Sequence, residues 1–119
     1  MKVINIDQTP KVPVVDPLFT GPVTMQFIVK DLSQRFLIQQ VNFAKSVRNK
    51  FHTHNTDQIL IVTEGKGIVA TDNEKITVGP GDVIFFPAGE KHWHGAAEGH
   101  TFSHLYVVSP ETDMTQLEA

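Results

Sequence analysis

The sequence predicts an all-β fold, a single barrel or sandwich closed around one core. Short β-rich segments recur at roughly even spacing, turn-forming clusters separate them, and no stretch holds a helical period over the roughly ten residues a helix needs. At 119 residues the chain has room for one domain and one core. Its composition, 40% hydrophobic and 19% charged, suits a globular fold and is too apolar for a disordered one.

Taken in order, residues 1–17 carry Pro10, Pro13 and Pro17. Each removes a backbone donor and restricts its predecessor, so this stretch reads as an extended arm fit for a sheet edge. The barrel is expected over residues 18–109, with strands at Val23 to Val29, Phe36 to Phe43, Gln58 to Thr63, Gly67 to Thr71, Ile76 to Val78, Val83 to Phe86 and Thr101 to Val108. The intervening turns are Lys30-Asp31, Glu64 to Gly67, Thr71 to Glu74, Gly79 to Asp82 and Pro87 to Glu90, all rich in residues that tolerate tight or left-handed backbone. Gly81, Gly89 and Gly95 are read as turn devices, and Pro87 as a strand end. Residues 110–119 form a tail with little pattern, a loose end or a short strand.

Composition also excludes chemistry. Cysteine is absent, so there is no disulfide framework, no thiolate metal site and no cysteine nucleophile. The ten Lys and Arg residues are scattered and the net charge is −3, which gives no footprint for nucleic acid. Apolar runs stop far short of the ~20 residues that span a bilayer, and no leader-like segment opens the chain, so the expected location is cytoplasmic.

The histidines carry the functional signal. His52-Thr53-His54 precedes one strand and His92-Trp93-His94 follows another. Alternate residues of an extended chain share a face, so His52 and His54 point one way, as do His92 and His94, while Thr53 and Trp93 point the other. Gln58, Leu60 and Val62 share a face opposite Ile59 and Ile61. Both faces are apolar, which implies a sheet covered on both sides. A polar Gln58 heading so apolar a strand needs a hydrogen-bond partner or a metal. Three imidazoles and an amide oxygen from His52, His54, His92 and Gln58 would suit one divalent transition metal and leave coordination positions open for a small-molecule substrate.

These residues resemble the two motifs of the cupin family. The first, a His-x-His pair, a ligand three or four residues on and a later glycine, reads His52-Thr53-His54, Gln58 and Gly65. Gln58 stands where glutamate is usual, and Ser46 where a glycine is usual. The second reads Gly81, Pro87, Gly89 and His92, with Ala96 replacing a terminal asparagine. The resemblance implies a double-stranded β-helix, the jelly-roll barrel. Phe19-Thr20-Gly21, Gly89 to Ala97 and His104 are further similar to small manganese cupins with hydroxynitrile lyase activity and to carboxymuconolactone decarboxylase-associated cupins. That likeness implies His52, His54, Gln58 and His92 as metal ligands, with manganese first and iron, nickel, cobalt or zinc as substitutes, and His104 as base.

With Gln58 neutral, a bound metal keeps its full charge and acts as a stronger Lewis acid, which favours lyase or isomerase chemistry on a small carbonyl, hydroxynitrile or enol over oxygen activation. Two other readings stand beside this one: a dioxygenase acting on an enolic substrate, and a non-catalytic binding or sensor module. His104 shares a face with Phe102 and Tyr106 and is either a general base or a hydrogen-bonded wall residue. His94 is a second proton carrier or a partner that orients a ligand. Trp93 reads as core or interface packing, and His100 has no assigned task. Homodimerisation is expected from the proline-rich arm and the exposed edges of a short barrel. Metal occupancy is expected to fall below pH ~6, when protons compete for the imidazoles.

Overall fold

A computed structural model describes residues 1–119 and contains eleven strands and no helix. In chain order they are β1 (Val12–Val14), β2 (Val23–Val29), β3 (Leu37–Phe43), β4 (His52–His54), β5 (Gln58–Gly65), β6 (Gly67–Ala70), β7 (Lys75–Val78), β8 (Val83–Phe86), β9 (Trp93–Ala96), β10 (Phe102–Val108) and β11 (Met114–Gln116). No helix is long and apolar enough to cross a membrane.

Every pairing is antiparallel. One sheet runs β1-β2-β3-β10-β5-β8. The facing layer has two pieces, β11-β4 and β7-β6-β9, which a bridge between His52 and His92 joins into one surface. The two layers close on a core that includes Val23, Val41, Phe43, Leu60, Val62, Val69, Phe86 and Phe102. Burying side chains as fully as Leu60 and Phe102 stabilises the fold by about 1.5–3 kcal/mol each. This is the jelly-roll barrel the motifs imply.

The proline-rich arm does lie on an edge, since β1 pairs with β2 from Val12 opposite Met25 to Val14 opposite Val23. The tail is tied down as well, because β11 pairs with β4 and places Met114 opposite His54. One expectation fails. Gln58, Leu60 and Val62 face the core, but the other face of β5 is not covered: Ile59 is 36% exposed, and its neighbours on β8, Val83 and Phe85, are 64% and 58% exposed. Apolar composition on both faces does not by itself reveal whether the outer cover belongs to the same chain.

Two backbone details explain departures in the motifs. Ser46 sits at φ +64°, the left-handed region that favours glycine. Its hydroxyl accepts a hydrogen bond from the Gly99 N–H at 2.9 Å, which offsets part of the strain. Gly95 lies inside β9 rather than in a turn, and a Cβ there would overlap the Arg48 backbone. Its small size lets the segment before β4 approach β9, which is how His52 and His92 come to be neighbours.

Candidate metal centre

Strand alternation sends His52 and His54 from β4 into the space between the layers, with Thr53 turned away. Gln58 enters from the start of β5, and His92 enters just before β9, fixed by the paired backbone hydrogen bonds it exchanges with His52. The ligand nitrogens of His52, His54 and His92 all lie within 4.8 Å of one another, and all three side chains are buried.

Their outer contacts settle how the rings are aimed. His52 Nδ1 donates to the Lys50 carbonyl at 2.6 Å, and His92 Nδ1 donates to the Glu90 carbonyl at 2.8 Å. A carbonyl can only accept, so in the neutral rings the proton is on Nδ1 and the Nε2 lone pair faces inward. His54 Nδ1 faces the Thr112 hydroxyl at 3.3 Å, an oxygen with a lone pair for the same proton. The Nε2 of His92 lies 3.0 Å from the Gln58 amide oxygen. Two acceptors that close repel unless a cation lies between them or the amide turns its NH₂ inward. Gln58 stands with its oxygen toward the centre and its Nε2 without a partner, the orientation that a cation shared with His92 would hold. Three neutral imidazoles and one amide oxygen fit a divalent transition metal.

Electrostatics agree with the geometry. Burial lowers His54 and His92 to a pKa of about 4, helped by repulsion from their histidine neighbours, and burial also lowers His52. The centre is therefore neutral and lone-pair-rich at pH 7. The lowered values place proton competition for these nitrogens below the range of an ordinary imidazole.

The centre opens into a cavity of about 330 Å³, at the small end of ligand pockets, lined in part by Phe19, Met25, Val41, Phe43 and Met114. His104 is fully buried in the opposite wall. Its Nδ1 donates to the Leu105 carbonyl at 3.0 Å, and its Nε2 has no hydrogen-bond partner. Burial lowers its pKa to about 4. His94 also lines the cavity but stands outside the converging set. Asn49 holds it: the amide oxygen accepts the His94 backbone N–H at 2.8 Å, and the amide NH₂ lies 3.3 Å from His94 Nδ1. Its ring meets that of His104 edge-on at 5.0 Å. His94 therefore packs against His104 without a hydrogen bond to it, and its pKa is pushed well below the ordinary value, by burial first and then by the other histidines.

Two residues that hold the histidines carried no usable signal in the sequence, whereas Tyr106 was already legible on the His104 face. Asn49 and Thr112 act by holding histidines, and Thr112 comes from the tail, 58 residues beyond its partner. Tyr106 lines the cavity with its ring 5.9 Å from that of His54, and burial raises its phenol above the usual range. Trp93 packs away from the centre between the Arg48 guanidinium at 4.6 Å and the Lys75 ammonium at 5.6 Å. His100 lies in the loop before β10 and reaches none of this.

Residues 40–109 match the family described as Cupin domain. A 94-residue stretch is 38% identical to (R)-mandelonitrile lyase of Granulicella tundricola and covers 78% of this chain. The chain spans 65% of that curated relative's length. A solved cupin-like protein of Thermotoga maritima superposes with a TM-score of 0.86 at 28% identity, over 95% of this chain and 90% of the other. Polyketide cyclase RemF of Streptomyces resistomycificus superposes at 0.89 over all of this chain and 87% of its own, but at 22% identity the likeness is one of fold.

Proposed function

Because the chain belongs to the cupin family, we propose that His52, His54, Gln58 and His92 hold one divalent metal, manganese first, and that the loaded protein is a lyase for a small hydroxynitrile or related carbonyl or enol compound. One observation carries this reading. One small cavity is lined by His52, His54 and Gln58, on which His92 also converges, and by His104, whose Nε2 has no partner. The relative named as a mandelonitrile lyase supports the choice of a hydroxynitrile.

The metal would supply Lewis-acid polarisation of a substrate oxygen, undiminished because the side chains around it are neutral. The remaining work falls to the chain. Its apolar walls exclude water and strengthen every polar contact inside. His104 takes the hydroxyl proton of the hydroxynitrile at Nε2, with Nδ1 tied to Leu105 so that the ring keeps one orientation. The bond between the carbinol carbon and the nitrile carbon breaks, its electron pair leaves with cyanide, and His104 returns the proton to it. An aldehyde or ketone and hydrogen cyanide depart with the enzyme unchanged. Since His104 is neutral at pH 7, the base is in its working state without prior deprotonation.

Assay of the metal-loaded protein against a hydroxynitrile and enol panel, with and without oxygen, tests the reading. Turnover that needs metal and His104 but not oxygen is the expected result. Oxygen uptake matching turnover would assign the cavity to a dioxygenase, and ligand-induced melting shifts without turnover would assign it to a binding module.

The same proposal includes a homodimer. The exposed apolar row of Ile59, Val83 and Phe85 lies beside the unpaired edge of β8, and Met1 and Val3 of the arm are fully or almost fully exposed. A second copy would cover these surfaces. Light scattering at twice the chain mass supports this, and a monomer at micromolar concentration removes it.

A further inference from the structure

Besides Gln58 at the start of β5, the inner face of the six-stranded sheet carries one further small polar group. On β10 the inward positions are Phe102, His104, Tyr106 and Val108, and the register sets Gln39 of β3 and Leu60 of β5 beside Tyr106. Val41 and Val62 flank His104 in the same way. Polar side chains therefore enter this wall at neighbouring points: His104, then Tyr106 two residues on, with Gln39 across the strand. All three line the cavity.

A phenol in such a wall normally finds a partner, because leaving a buried donor unmade costs free energy. Tyr106 is half-buried and lines the cavity, and its hydroxyl makes no hydrogen bond to another side chain or to the backbone, which leaves it free for whatever fills the cavity. Its ring lies against that of His54, so the hydroxyl belongs to the same compartment as the converging imidazoles. Successive inward residues of a strand are separated by roughly 6.6 Å, close enough for both side chains to reach neighbouring groups of one small molecule.

We propose that Tyr106, assisted by Gln39, is a positioning and specificity-determining residue that donates a hydrogen bond to a second acceptor on the substrate, one strand step from the hydroxyl that His104 addresses. The substrate class narrows accordingly. It carries a hydroxyl and, on the adjoining carbon, a neutral acceptor such as a nitrile nitrogen or carbonyl oxygen. The proposal rests on the lyase reading for the role of His104, but the binding preference it predicts does not require turnover.

The test compares benzyl alcohol, which has a hydroxyl alone, with phenacyl alcohol, which adds a neighbouring carbonyl oxygen. Both are titrated calorimetrically into the wild type and the Tyr106→Phe variant, with and without manganese. The wild type should bind phenacyl alcohol roughly tenfold more tightly than benzyl alcohol, as one buried hydrogen bond allows, and Tyr106→Phe should abolish that difference. In turnover, Tyr106→Phe should raise KM for the bifunctional substrate far more than it lowers kcat. Gln39→Leu, as an independent variant, should weaken the preference without abolishing it. An equal preference in Tyr106→Phe, or none in the wild type, overturns the proposal. Loss of the preference in Tyr106→Phe while no lyase substrate is turned over keeps the subsite and removes the lyase; turnover untouched by Tyr106→Phe does the reverse.

Discussion

On the wall formed by β4 and the approach to β9, His52, His54 and His92 turn Nδ1 to an oxygen outside the cavity and Nε2 toward one another. On the β10 wall across from them, His104 commits Nδ1 to its own strand and turns Nε2 toward no protein group. Burial lowers the pKa of both kinds, but repulsion among neighbouring histidines contributes only on the first wall for His54 and His92. On the function proposed, the same side chain is set to two tasks. Three converging lone pairs call for a shared cation, whereas one isolated lone pair calls for a proton from whatever occupies the cavity.

Removing a ligand should break the comparison most severely. His92→Ala should lower metal affinity by more than ~100-fold, beyond what loss of an outer partner costs, and abolish activity with it; chelator competition measures the first and the lyase assay the second. His104→Gln should separate the walls instead. Activity should fall by roughly 10²- to 10⁴-fold while metal content per chain stays at the wild-type value.

The strands were readable before the structure because alternation and turn chemistry are local. β2 and β8 begin and end where the hydrophobic pattern places them, and the turns at Gly81 and Gly89 have the positive φ their glycines suggest. The four proposed ligands were readable for the same reason, since the period of two fixes which side each faces. What stayed hidden depends on contacts between distant segments. Nothing near Thr112 announces that the tail folds back to His54, and nothing near Asn49 announces that it will grip His94. The exposed Phe85 shows the reverse limit, where an apolar pattern names a buried face but not the molecule that buries it.

Acid should act on both walls together. Five histidines lie below their ordinary pKa of 6.5, so between pH 6.5 and about 4 the unfolded chain binds more protons than the folded one. The stability they contribute is present above pH 6.5 and lost as pH falls through that window; the fully buried His104 alone accounts for roughly 3 kcal/mol. Thermal melts of metal-free protein should show Tm falling steeply from pH 6.5 to 4. Added manganese should raise Tm and move the loss to lower pH, and a flat profile would mean that the histidines are solvated.

The smallest effect sharpens the first wall. Thr112→Val keeps the shape beside His54 but removes the oxygen facing Nδ1, so metal affinity should drop about tenfold with the fold intact. Circular dichroism and metal titration together check both halves of that statement.

Crystals grown from protein loaded with manganese, with anomalous differences collected above the manganese absorption edge, examine the shared-cation claim without reference to any reaction. The account predicts one strong peak per chain bounded by Nε2 of His52, His54 and His92 and by Oε1 of Gln58. No peak there in fully loaded protein, or a peak held by other side chains, would contradict it.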